Sequence, residues 1–126
     1  MRPILLDANS ILRYLLNDID EQAAARARAV EVGAEVRMEV IAECVYVLDG
    51  VYQVPRGKIS SALGGLLDEI DCERELIARG ALRFYAERRL DFVDCVLLSE
   101  AVIGRRDALT FDRKLKRSID ELAGGR

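Results

Sequence analysis

Short apolar triplets alternate along this chain with longer stretches of helical periodicity. Ile4-Leu5-Leu6 is an uninterrupted apolar run that stops at Asp7, as a short buried strand of a parallel sheet would. Asn9 and Ser10 then supply turn and cap chemistry for a helix carrying Ile11, Leu12, Leu15 and Leu16 on one face. Beyond the break at Asn17-Asp18-Ile19-Asp20, an alanine-rich helix is predicted from about Glu21 to Val32, capped by Asp20 and closed by Gly33. Glu35-Val36-Arg37 reads as a second short strand. From Met38 to Tyr52 the pattern is strongly helical, with Met38, Ile41, Val45, Leu48 and Tyr52 in one narrow arc. Pro55 opens a helix through Ile59, Leu63, Leu66 and Leu67, weakened inside by Gly64-Gly65. Asp71 to Ile77 is read as a short strand, and Ala78 to Arg89 as a helix with Leu82 and Tyr85-Ala86 inward. A markedly apolar helix follows from Phe92 to Ile103, preceded by Asp91 and closed by Gly104. Ala108-Leu109-Thr110 is a last strand, and Phe111-Asp112-Arg113-Lys114 turns into a basic terminal helix.

Short strands alternating with longer helices point to an α/β fold with a mostly parallel sheet, and residues 1–126 are expected to form a single domain around one core. The apolar runs fall far short of the roughly 20 residues needed to cross a membrane. Asp7 interrupts the segment where a secretory signal would need its apolar stretch, so a cytoplasmic protein is expected.

Composition narrows the chemistry. There is no histidine, which removes Ser-His and Cys-His catalysis and most zinc sites. The three cysteines, Cys44, Cys72 and Cys95, have no metal-ligand spacing; Cys44 and Cys95 lie inside apolar runs and read as buried thiols. With a net charge of -3 the chain is not a globally basic nucleic-acid binder, so any attraction for phosphate must be local.

The informative residues are acids that interrupt apolar segments. Glu43 is the only charge from Val40 to Leu48, and Asp94 the only one from Phe92 to Ser99. Asp7 ends the first apolar run and Asp112 follows Leu109-Thr110-Phe111. Each has a plain structural reading: Asp7 and Asp112 as helix caps, Asp94 as a first-turn residue favoured by the helix dipole, Glu43 as a solvent-reaching edge residue. Asp91, three residues before Asp94, is either the cap of that helix or a fifth acid. Taken together they suggest more, because the carboxyl ends of parallel strands form the crevice where ligands bind. Several carboxylates at one edge raise one another's pKa unless a cation compensates them. An all-oxygen donor set selects a hard ion such as Mg²⁺ or Mn²⁺, which suits phosphodiester hydrolysis without a protein nucleophile.

At these residues the sequence resembles PIN-domain nucleases, and more narrowly VapC-type toxins of toxin–antitoxin pairs. The matching pieces are Leu6-Asp7-Ala8-Asn9-Ser10-Ile11-Leu12, Ile41-Ala42-Glu43, Phe92-Val93-Asp94-Cys95-Val96-Leu97 and Leu109-Thr110-Phe111-Asp112. The resemblance implies a three-layer α/β/α fold around a sheet of four or five short strands. It also implies Mg²⁺- or Mn²⁺-dependent endoribonuclease activity, a protein antitoxin as partner and a homodimer. It places catalytic and metal-binding roles on Asp7, Glu43, Asp94 and Asp112, with Asp91 as auxiliary. Asn9 and Thr110 look like polar residues that orient the acids. Many relatives carry a further strand at the C-terminus, whereas Ser118 to Arg126 shows no apolar strand.

Arg105 and Arg106, before the last strand, and Arg113, Lys114, Lys116 and Arg117, after it, flank Asp112 as phosphate-binding candidates. The plainer role for such residues is to complement helix dipoles. Tyr14, Tyr46, Tyr52 and Tyr85 are read mainly as packing residues rather than base-stacking ones. Three other functions stay open. An aspartyl phosphatase using Asp7 would leave Glu43 and the late acids unexplained. A non-catalytic RNA-binding protein would keep the fold without turnover, and a nuclease of RNA processing would share every acid.

Overall fold

The structure is a computed structural model, described here for residues 4–16 and 28–124. The predicted helix from Glu21 to Val32 lies largely outside the described residues; its described end, 28–31, is helical and closes at Gly33, whose φ of 69° suits glycine.

Six named helices and two strands follow one another: α1 (Ala8–Leu16), β1 (Glu35–Val36), α2 (Met38–Gly50), α3 (Arg56–Glu69), β2 (Asp71–Cys72), α4 (Glu75–Glu87), α5 (Phe92–Val102) and α6 (Arg113–Ala123). The fold is mostly helical with a small parallel sheet. β1 and β2 pair in parallel with Glu35 opposite Asp71 and Val36 opposite Cys72. The connection between them runs through α2 and α3, as a parallel pair requires. Residues 4–6 add one parallel bridge, Leu5 to Glu35, held by Leu6 N–H on Glu35 O at 2.9 Å and Glu35 N–H on Ile4 O at 2.8 Å.

Two strands and one bridge therefore stand, among the described residues, where four or five strands were expected. The Asp71–Ile77 strand ends at Cys72, because Glu75 already begins α4. Ala108-Leu109-Thr110 is not a strand. Leu109 and Phe111 are 90% and 93% exposed, so the apolar burial that would favour a strand there is not realised. The C-terminal segment forms α6, whose Leu115 and Ser118 are buried while its basic residues face outward.

The core is built where the periodicity placed it. Ile41, Val45 and Leu48 of α2 are buried with Leu63, Leu66 and Leu67 of α3, whose glycine pair stays helical. Tyr52 and Ala86, expected inward, are exposed: α2 ends at Gly50 before Tyr52, and Ala86 falls on the outer face of α4. α4 packs on both α3 and α5. The closest approach is at Gly80, where a Cβ would overlap Ile103 Cδ1 and Ser99 Oγ. Ser99 is fully buried and donates to Ile77 O at 2.8 Å, so its hydroxyl is satisfied.

Candidate functional site

Asp7 lies one residue past the bridged segment and begins α1. Its Oδ1 accepts the Ser10 backbone N–H at 2.8 Å. Ser10, through that N–H first and its hydroxyl second, holds the Asp7 carboxyl below its ordinary value. The cap reading of this residue is thus realised, on an exposed carboxylate. Asn9 is exposed one turn-position further on. α1 packs against α2, where Glu43 is exposed and its neighbour Cys44 is buried. Burial, with the charges of Glu43 and Asp7 behind it, pushes the Cys44 thiol up to about 12. Both acids thus act on one buried sulfur between α1 and α2, whose Sγ also donates to Ala8 O.

The second group gathers at the start of α5. Asp91 occupies the N-cap position, its carbonyl accepting Cys95 N–H at 3.0 Å, but its side chain makes no capping bond. Of the two readings, the structure gives Asp91 the cap position without committing its carboxylate to the cap. Asp94 sits half-buried in the first turn. Its carboxyl is raised above the ordinary value by burial first, then by Asp112 and by Asp91. Asp112 comes from a different element. It caps α6 by accepting Leu115 N–H on Oδ1 at 2.9 Å, and its own N–H donates to Thr110 Oγ1 at 3.0 Å. Thr110 thereby bonds the backbone of Asp112, not its carboxylate.

The structure therefore brings Asp91, Asp94 and Asp112 into one electrostatic neighbourhood, with Asp7 and Glu43 in another. Among the described residues no three acid or thiol side chains stand close enough to hold a metal ion. Asp7 and Asp112 are each turned to a helix N-terminus, where a backbone N–H holds the carboxylate. The donors nonetheless fit a hard divalent cation, since all are carboxylates and the Asp94 carboxyl already feels its neighbours' charge. The thiols do not compete. Cys95, like Cys44, is buried and pushed up to about 12, so both stay protonated.

The PIN domain family model matches residues 4–119. The chain belongs to the PIN domain family. PIN domains are generally nucleases, and the match spans every acid described above. No curated protein and no solved structure matches the chain.

Of the candidate phosphate-binding cations of this PIN domain, Arg106 and Lys114 line separate depressions. A cleft of about 570 Å³ is lined by Val96, Leu97, Leu109 and Thr110 with Arg106 and Asp107, and its Arg74 is paired with Glu100. Arg105, at φ 52°, and Arg113 are exposed. A groove of about 380 Å³ runs between residues 88–90 and α6, and Lys114 lies on its wall. Among the tyrosines, Tyr85 is buried edge-on to Phe92 and Tyr14 is bound to Glu69, while Tyr46 and Tyr52 are exposed.

One structural residue was missed by sequence reasoning. The Arg56 guanidinium donates from Nε to Tyr85 O at 2.8 Å, and from Nη2 to Arg88 O at 2.8 Å and to Leu90 O. It also lies 3.6 Å over the Tyr85 ring. This clasp ties down the connector that leads directly into Asp91. A signal existed: a cation in the first turn of a helix opposes the dipole and calls for another reason to be there.

Proposed function

We propose that this PIN domain is a Mg²⁺- or Mn²⁺-dependent endoribonuclease, cytoplasmic, and the toxin of a toxin–antitoxin pair. The observation that supports the metal dependence is the convergence of Asp91, Asp94 and Asp112 at the start of α5, where the Asp94 carboxyl is raised by burial first and then by Asp112 and Asp91. Asp7, Glu43, Asp94 and Asp112 would hold the cation, with Asp91 contributing a side chain that its helix does not use. When bound, such an ion orients a water and neutralises charge on the phosphodiester. Thr110 keeps Asp112 in register through its backbone, Asn9 stands beside Asp7, and Arg105, Arg106, Arg113 and Lys114 would meet substrate phosphates.

The toxin role and the protein antitoxin rest on the resemblance of the four motifs. A homodimer is supported by the apolar side chains left in water, with Val93 and Leu97 on α5 exposed at 49% and 43%. The rival reading, a PIN domain that binds RNA without cutting it, is favoured by one observation: the described acids do not close into a three-ligand cluster.

A panel of RNAs incubated with purified protein and Mn²⁺, Mg²⁺ or EDTA, beside Asp7→Asn, separates them. Asn caps a helix as well as Asp does, so the variant stays folded. Metal-dependent cutting that disappears in the variant supports the nuclease. RNA binding without cutting in any metal supports the rival.

A further inference from the structure

The two depressions on either side of α6 differ in charge, and the difference selects a path for a nucleic-acid strand. The larger cleft is lined by two cations and two acids, Arg74 with Glu100, which are paired, and Arg106 with its chain neighbour Asp107. The smaller groove holds Arg88, Arg89, Lys114 and Arg117 against the single carboxylate of Glu121. Arg88 is the one neutralised, with its Nη1 3.0 Å from Glu121 Oε2 and 3.0 Å from Ser118 Oγ. That bond fixes the floor of the groove and joins the α4–α5 connector to α6. Arg89, Lys114 and Arg117 are exposed and have no ion-pair partner among the described residues.

Position adds to charge. The groove's Leu90 directly precedes Asp91, and Lys114 lies two residues past Asp112 in the first turn of α6. Three unpaired cations thus begin where the acids end. Uncompensated cations beside a carboxylate group, across two elements remote in sequence, offer a single-stranded backbone successive phosphate contacts.

We propose that Arg89, Lys114 and Arg117 form a phosphate track on which the RNA strand lies as it leaves the acidic site, beyond the contacts assigned above to Arg105, Arg106 and Arg113. This rests on the ribonuclease reading above. A strand held there keeps one phosphodiester against Asp91, Asp94 and Asp112, while the track contacts the phosphates next along. The contacts carry no sequence information, so they raise affinity uniformly and leave base choice to other residues.

The test is fluorescence anisotropy of a short labelled single-stranded RNA on the full chain, with Ca²⁺ replacing Mg²⁺ to hold back cleavage. Salt is varied between about 50 and 200 mM. Each phosphate contact on a single strand contributes about 0.7 to the slope of log affinity against log salt. Arg89→Ala with Arg117→Ala is expected to flatten the slope by about 1.4, and Lys114→Ala alone by about 0.7. Arg83→Ala, an exposed cation of α4 resting on Phe84, removes the same charge outside the groove and is expected to leave the slope unchanged. A wild-type slope in the groove variants, or an equal change in Arg83→Ala, would overturn the track. If the wild-type protein cuts RNA while the groove variants keep its slope, the track falls and the nuclease stands. If RNA is neither bound nor cut, both fall.

Discussion

Removing the Arg56 guanidinium should be the most damaging single change outside the apolar core. Three carbonyl oxygens, those of Tyr85, Arg88 and Leu90, accept from this one side chain, which also covers the Tyr85 ring. Each bond to a charged donor contributes about 1.5–3 kcal/mol in isolation, but the three share one side chain and are not additive. Arg56 is half-buried, so water can reach part of what Arg56→Ala leaves behind. The stacking contact adds about 0.5–1 kcal/mol. Together these give a loss of about 3 kcal/mol, or roughly 10 °C in Tm for a chain of this size. Arg56→Lys keeps the charge and one bond but loses the planar fork, and should recover about half of that. Urea denaturation measures both variants, with an unchanged dependence on denaturant expected because the surface exposed on unfolding is the same. A loss below about 1 kcal/mol in Arg56→Ala would refute the clasp as a stabilising element.

Three further outcomes follow from particular contacts. Folded Asp94 keeps its proton to higher pH than the unfolded chain does, so its ionisation destabilises the fold as pH rises above the ordinary value of 3.8. Asp94→Asn should therefore melt about 2 °C higher at neutral pH, corresponding to roughly 0.5 kcal/mol for a solvent-screened group, with the difference closing in acid. Asp112→Ala loses the α6 cap and should cost about 1 kcal/mol, whereas Asp112→Asn keeps it. Carbon-13 titration of Asp94 should show its carboxyl falling toward the ordinary value in both variants. Gly80→Ala should destabilise by about 1–2 kcal/mol in thermal melts, because its methyl group meets Ile103 and Ser99 at the α4–α5 contact.

The helices were legible in the sequence because their apolar spacing is decided locally. α2 and α5 fall within a few residues of their predicted spans, and Ile41, Val45, Phe92 and Cys95 are buried as the periodicity requires. The strands were legible only in part: β1 and the start of β2 lie where the sequence placed them, but the expected strand at 108–110 did not form. An apolar triplet such as Ala108-Leu109-Thr110 becomes a strand only if a partner supplies hydrogen bonds, and that is a non-local condition no triplet carries. Among the acids, position was legible and commitment was not. Asp7 and Asp112 were readable as caps or as ligands, and the structure shows their capping bonds directly. Asp94 drew notice as a lone charge in an apolar run, and its burial, the first cause of its raised carboxyl, follows from that placement, whereas the approach of Asp112 from another helix does not. Lys114 and Arg117 drew notice as basic residues after Asp112, but their grouping with Arg89, like the partners of Arg56, joins elements distant in sequence and shows only in the folded chain.

The central claim is that these acids share a divalent cation, and calorimetric titration of the full chain with Mn²⁺ tests it most directly. The account requires binding that tightens as pH rises through the raised Asp94 pKa, since the cation competes with that proton, and that is lost in Asp94→Asn. Absence of binding, or binding unchanged in Asp94→Asn, would contradict it.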